Sequence, residues 1–597
     1  MDDATAAASL RMRDPLFAPR RLEIERAADG AMVLFNPAPF DERFETTLGA
    51  LQHWAAAAPD RVALAERSGE GWRRVTYAEA WDQVRAMAGG LAALGLPRQS
   101  PVLILARNSI DVALFTYAAM SQALIANPVS PQYGLAGADL SRLLHAVELT
   151  RPAAVFADDA AAFPGALEAP FLAGLPVIAG RNAGDGRIGL VELLRAAPAA
   201  PVARPDDIAK LLLTSGSTGQ PKAVIGLHRA AAVNAAQIAA CFVDPEPPVL
   251  VHNAPWSHSL GANAILHTTL QRGGTLYVDA GAPVAGRMGE MVRTLRQIAP
   301  TYHNMVPAGW DLLAGELERD EALARRFFSR VRLLQYGGAA LGQSTADRIQ
   351  AVALRTVGET ISFSSGYGAT ETGPTATNVH WPNTAMGLIG LPVPGTRVKL
   401  APAGDKLEFR VKGPQVSPGY YRAPDATAAA FDEEGYYRLG DAARLVDPQR
   451  PELGMAFDGR LSENFKLSSG TFVTAGALRV AALSATGGAA LDAVVCGEGR
   501  GSVGLLVFLS EAHCHGMTAQ AIRAEIRDGL ACFNAAARGA GGRIARVLIL
   551  ADQPHVQSGE ITDKGYINQA KARERRAADV ERLFASPPDS AVIILED

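Results

Sequence analysis

The chain has 597 residues, 48% hydrophobic and 20% charged, with a formal net charge of −4. That length exceeds the about 100–200 residues one compact core usually holds, so more than one domain is expected. A near-neutral, slightly acidic chain carries no electrostatic footprint for nucleic acid or anionic membrane. No apolar run approaches the roughly 20 residues that cross a bilayer. The start, MDDATAAASLRMRDPLF, is acidic and lacks the basic-then-apolar pattern of a secretion signal, so a cytoplasmic location is the default expectation. The four cysteines, Cys241, Cys496, Cys514 and Cys532, form no C-x-x-C pair and no disulfide framework.

Residues 76–94 open with a capping box, Thr76 and Glu79. Tyr77, Trp81, Val84, Ala88 and Leu91 follow at helical spacing, and Gly95 acts as a stop. The run PVLILA at 101–106 reads as a buried strand, and similar runs recur at 208–213 and 331–334 with helical segments between strands. This alternation predicts an α/β fold of mostly parallel sheets with flanking helices, in which ligands sit beyond the carboxyl ends of strands. Near residue 440 the pattern changes: residues 444–446 and 455–457 flank a Pro/Asp-rich turn and read as a hairpin. A boundary is expected there, dividing a large N-terminal domain (1–460) from a small α+β C-terminal domain (461–597). The Ala/Gly-rich stretch 535–542 reads as a surface loop.

The strongest chemical signal is LLLTSGSTGQPK at 211–222. A buried strand runs into a loop where Gly216 and Gly219 permit unusual backbone angles. Thr214, Ser215, Ser217 and Thr218 supply hydroxyl donors beside exposed backbone N–H groups, and Lys222 adds a positive charge. Such a concave nest suits a polyphosphate. It is not a Walker loop, because Pro221 precedes the lysine. A second segment, SGYGATE at 365–371, offers Tyr367 as a flat face for a purine, Thr370 as a phosphate donor and Glu371 as a hard oxygen ligand for Mg²⁺. YGGA at 336–339 reads as a tight turn after a strand. Asp441, in YRLGD, suits the two hydroxyls of a ribose.

In order and spacing these motifs resemble the acyl-adenylate-forming superfamily of acyl-CoA synthetases, luciferases and peptide-synthetase adenylation domains, over residues 40–570. Within it, RDPLFAPRRLEIERAADG, NPVSPQYG, DGRLSENFKLSSGTFV and GEITDKGYINQ resemble the bacterial feruloyl-CoA synthetases. The resemblance implies that Thr214–Gly219 and Lys222 hold the phosphates of ATP, that Tyr367 with the Gly338-Ala339 backbone frames adenine, and that Asp441 and Arg460 bind ribose. It puts Mg²⁺ on Glu371, the acid's carboxylate beside His258, and Asn304, Ser365 and the small residues Gly337 and Gly338 around the acyl group. Coenzyme A is the implied acyl acceptor, an aromatic hydroxycinnamate the implied acid, and a mobile C-terminal domain the implied carrier of a catalytic lysine.

Departures cluster towards the C-terminus. Leu439 replaces the usual Thr or Ser before Gly-Asp, Ser462 the usual hinge Asp or Lys, and Ala477-Leu-Arg479 a common Glu-Ile-Glu. Glu560 stands where relatives place the catalytic lysine. Lys564 is the nearest replacement, with Lys466 in reserve. Two rivals follow: transfer of the acyl group to a carrier protein, and a nucleotide-binding homologue that has lost catalysis.

Overall fold

The computed structural model describes residues 11–215, 221–284, 286–461, 465–537, 539–554, 560 and 567–595. Apolar runs become strands buried on both faces, and the amphipathic segments between them become the helices that cover those strands. Pro101–Leu105 and Ile125–Val129 are buried at every position. They lie in a seven-stranded sheet that also contains Ile208–Ser215 and ends on Pro221–Leu227. All its pairings are parallel except the last, between the strand entering the phosphate-loop motif and the strand leaving it. The helix Tyr77–Ala93 begins as expected. The Thr76 hydroxyl accepts from Glu79 N–H at 3.3 Å, and the Glu79 carboxylate accepts from Thr76 N–H at 2.9 Å.

A second sheet of twelve strands changes character along its width. Tyr302–Met305, Leu333–Tyr336 and Thr360–Tyr367 are parallel, with Asn304, Gln335 and Ser364 in register. From Thr377–Asn378 onward the sheet is antiparallel, through Leu388–Pro392, Met455–Arg460 and Tyr437–Leu445 to Lys406–Lys412 and Arg397–Ala403. The expected hairpin is therefore present and longer than the apolar residues alone suggested. Met32–Phe35 joins this sheet beside Arg397–Ala403. A third, four-stranded sheet carries Val249–His252 and Thr275–Val278.

The small C-terminal domain is a four-stranded sheet of Ala490–Cys496, Val503–Leu509, Ile544–Ile549 and Val592–Ile594. Ala475–Ala485 and Ala519–Ala536 pack on one face, Gln569–Arg575 and Ala577–Leu583 on the other. The loop expected from 535 starts later, because alanines are strong helix formers and Ala519–Ala536 continues through them. The helix end is tied down by Asn534, whose amide exchanges two hydrogen bonds with the Ile544 backbone at 2.7 and 2.9 Å. No helix among the described residues is long and apolar enough to cross a membrane.

Within the antiparallel half, the strand Leu388–Pro392 lies tight against Thr377–Asn378 at Gly390. Its φ is +81°, its strand shifts register there, and a Cβ would lie 2.2 Å from the carbonyl carbon of Asn378. No rotamer relieves a clash with backbone. Gly390→Ala is therefore expected to destabilise the protein by about 1–3 kcal/mol, read as a lowered melting temperature. An unchanged melting temperature would mean that the strand crossing is not tight.

Candidate active site

The strand Ile208–Ser215 delivers Thr214 to its carboxyl end, directly opposite Lys222 on the returning strand. Gly216, Ser217, Thr218 and Gly219 lie outside the described residues, and Ser215 is described through its backbone alone. The Lys222 ammonium sits 4.9 Å from the centre of the Tyr420 ring, a cation–π distance. The Tyr420 hydroxyl donates to Glu371 Oε1 at 3.0 Å and lies 2.9 Å from the Tyr437 hydroxyl. Glu371 is buried. Beside it, Thr370 Oγ1 lies 3.1 Å from the hydroxyl of Ser259.

One turn of chain away, the Tyr367 hydroxyl donates to Asp441, and its ring meets Phe409 edge-on at 5.2 Å. Asp441 pairs in register with Arg460, whose Nε is 3.4 Å from Oδ1. Burial raises the pKa of all three tyrosines, and the neighbouring carboxylates raise it further, so each keeps its proton as a donor. Lys222, Tyr420, Tyr437 and Glu371 thus form one polar cluster, and Tyr367, Asp441 and Arg460 form a second.

Next to these clusters, beyond the carboxyl ends of the parallel strands, lies a cavity of about 1360 Å³. His258, Asn304, Gly337, Gly338, Ala339 and Thr370 line it. Gly338 turns the chain after Leu333–Tyr336 with a φ of +83°, which brings backbone to the cavity wall. Ser365 is placed differently from the sequence reading. It is buried, its hydroxyl donates to the Leu388 carbonyl, and it does not line the cavity.

His258 is followed by a π-helical turn, Leu260–Ile265. Such turns are rare and concentrate at functional sites. This one is held by a residue the motif search passed over. Lys210, alone among apolar neighbours on Ile208–Ser215, is buried with its Nζ 3.1 Å from Ala262 O, 3.1 Å from Asn263 Oδ1 and 2.8 Å from His267 Nε2. The Tyr117 hydroxyl closes the chain, 2.7 Å from His267 Nδ1. Burial pushes the Lys210 ammonium down to about 7. A lysine inside an otherwise apolar strand was the available signal.

The small domain closes part of the cavity with Arg479, which binds Asp492 bidentately at 2.6 Å on both arms, and with Gln553, Pro554 and Ile567. Ser510 Oγ donates to Asp311 Oδ2 at 2.9 Å, joining the two domains. Glu560 does not line the cavity. It is fully buried, with Arg576 Nε at 2.7 Å, and Arg576 also holds Asp552 at 2.7 Å. Lys466 is exposed and does not line the cavity, and both Lys564 and Ser462 lie outside the described residues.

A family model described as AMP-binding enzyme matches residues 51–421, and one for the AMP-binding enzyme C-terminal domain matches 484–587. The chain belongs to the AMP-binding enzyme family. Among curated relatives, the carboxylic acid reductase of Mycobacterium tuberculosis is 26% identical over 439 residues, 67% of this chain and 37% of that protein. The 4-coumarate–CoA ligase 3 of Oryza sativa subsp. japonica is 26% identical over 402 residues, 64% of this chain and 68% of that protein. The fold matches the adenylation domain of carboxylic acid reductase from Segniliparus rugosus, solved with AMP and a carboxylic acid (TM-score 0.73, 20% identity, 91% of this chain and 94% of that one). It also matches an anthranilate CoA ligase solved with anthranoyl-AMP (TM-score 0.74, 16% identity, 90% and 97%).

In this AMP-binding enzyme the buried lysine makes stability depend on pH. Unfolded, Lys210 titrates near its ordinary 10.5; folded, near about 7. Between those values the unfolded chain holds a proton that the folded chain lacks, so stability rises with pH across that window. Melting temperatures of the wild type and Lys210→Met, taken from pH about 7 to about 9, are expected to diverge, with the wild type gaining relative to the variant. Parallel curves would show that Lys210 stays charged in the fold.

Proposed function

We propose that this enzyme is an acid–thiol ligase. It activates an aromatic acid of the hydroxycinnamate type, ferulate foremost, as its acyl-adenylate and transfers the acyl group to coenzyme A. The observation that carries the reading is the convergence of His258, Thr370 and the 337–339 turn on one cavity beside the Tyr367–Asp441–Arg460 cluster. The feruloyl-type segments of the sequence support the acid, as do relatives named for 4-coumarate and anthranilate. A second reading, transfer to a carrier-protein thiol, is favoured by the similarity to carboxylic acid reductases, although the chain spans 37% of the first such relative.

A carboxylate is a poor electrophile, because its charge is delocalised and oxide does not leave. In the proposed first step a carboxylate oxygen attacks the α-phosphorus of ATP and pyrophosphate departs, forming a mixed anhydride. In the second, the thiol sulfur attacks the acyl carbon, loses its proton, and AMP departs. The protein's part is positioning and charge stabilisation.

Thr214–Gly219 and Lys222 would hold the phosphates. Gly338, Ala339 and Tyr367 would frame adenine, Asp441 and Arg460 the ribose, and His258 and Asn304 the acid. Glu371 fits a hard cation: it is a buried carboxylate with a tyrosine hydroxyl as donor, and no described lysine or arginine pairs with it. Mg²⁺ bound there supplies charge neutralisation for the phosphate oxygens. The 1–460 domain would bind ATP and acid, and the 461–597 domain would bring Lys564. Pro554 and Ile567, on either side of the segment that contains Lys564, line the cavity, which supports that role. The use of Glu560 as the Arg576 partner supports an active enzyme over a non-catalytic homologue, since the substitution then serves the fold.

Product analysis with ferulate, cinnamate, benzoate and decanoate, with and without CoA, tests the reading. AMP and pyrophosphate with the aryl acids, and thioester only with CoA, are expected. ADP as product would overturn the chemistry, and a highest kcat/KM on decanoate would overturn the acid.

Lys564→Ala is expected to slow adenylate formation about 10²–10³-fold while sparing thioester formation from pre-made adenylate. Equal loss in both half-reactions would refute that role, and no loss would transfer it to Lys466. Glu371→Gln is expected to raise the Mg²⁺ concentration needed for half-maximal pyrophosphate release at an unchanged melting temperature. An unmoved Mg²⁺ dependence would make Glu371 a structural group.

A further inference from the structure

Four strand ends present one face to the cavity. Val249–His252 packs beside Tyr302–Met305, and Asn304 and Gln335 are in register on neighbouring parallel strands. His252, Asn304 and Gln335 therefore form a row on the same wall, and all three line the cavity. Behind them Ser364 continues the row, buried, its hydroxyl donating to Asn378 Oδ1 at 2.8 Å. Deeper along the same face, Leu250 and Tyr302 make the wall more apolar.

The hydrogen bonds of this row fix what it offers. His252 Nδ1 accepts from Ala254 N–H at 2.9 Å, so the ring proton sits on Nε2 and points to Asn304 Oδ1 at 3.5 Å. Burial holds the imidazole down to about 4, so it is neutral at working pH. With its oxygen facing His252, Asn304 turns its NH₂ donors to the cavity. Gln335 offers a side-chain amide with no hydrogen-bond partner among the described residues; the Trp310 indole N–H donates to its backbone carbonyl, not to the amide. No charged side chain belongs to the row. Within the row itself a ligand carboxylate or ammonium would meet no counter-charge, the charge on the deeper wall being Arg272 over the Tyr302 ring, and an alkyl chain would leave the amides unsatisfied.

We propose that the His252–Asn304–Gln335 row is the specificity element that reads neutral oxygen substituents, a phenolic hydroxyl or a methoxy group, on the acid's ring. This rests on the aryl-acid reading above and adds the residues and the substituent chemistry. It leaves the ring itself to the small-residue wall at Gly337–Ala339, and assigns to the amides only the difference between an oxygenated ring and a bare one.

The experiment measures kcat/KM for 4-hydroxy-3-methoxycinnamate and for unsubstituted cinnamate in the wild type, Asn304→Leu and Gln335→Leu, with melting temperatures for each. The wild type is expected to favour the oxygenated acid, and the ratio of the two constants is expected to fall about tenfold or more in each variant. A purely structural role would lower both constants together and leave the ratio unmoved. The melting temperature of each variant reports that it is folded. An unchanged ratio in folded variants overturns this inference while sparing the parent reading. A wild type that adenylates other acids but neither of these removes the parent reading, and this inference with it.

Discussion

Burying a carboxylate is tolerable only if its oxygens are hydrogen-bonded, and the site is organised around two that are. Glu371 is reached by Tyr420, and Asp441 by Tyr367. Those tyrosines come from the parallel strand Thr360–Tyr367 and from the loop after the antiparallel strand Lys406–Lys412. Satisfying the two acids therefore joins the halves of the twelve-stranded sheet where the cavity opens. Lys222 reaches the same network through the Tyr420 ring, which couples the seven-stranded sheet to it. These contacts fix the relative placement of residues that lie 49, 74 and 198 positions apart.

Much of this was legible in the sequence, for reasons that can be named. The capping box at Thr76 is a local hydrogen-bond pattern, and local patterns survive folding. The motifs at 211–222 and 365–371 fall at the ends of the strands Ile208–Ser215 and Thr360–Tyr367, because glycines and hydroxyl residues end regular pairing. What was not legible depends on register. Nothing in the composition of residues 32–35 says that they pair with 397–400. Ser365 reads as a cavity residue because it adjoins the Tyr367 motif, yet its hydroxyl is taken up by the Leu388 carbonyl of a strand distant in sequence. The amides of Asn304 and Gln335 are ordinary polar residues until parallel pairing sets them side by side.

The same distinction separates two unusual charges. Glu560 reads in the sequence as a lost catalytic group, whereas in the fold it is a buried partner of Arg576 that helps anchor the small domain's C-terminal helices. Lys210 reads as an isolated cation in an apolar strand, whereas in the fold it supplies donors to a π-helical turn directly after His258. In both cases the side chain answers a local shortage of hydrogen-bond partners.

The central claim is that the cavity joins a carboxylate to the α-phosphate of ATP before any thiol takes part. The most direct measurement is isotope exchange between labelled pyrophosphate and ATP, with acid present and coenzyme A absent. Exchange that appears only when an aryl-propenoic acid is added is the expected result. Exchange that needs no acid, or that stays absent with every acid until a thiol is supplied, would contradict formation of a free-standing acyl-adenylate at this site.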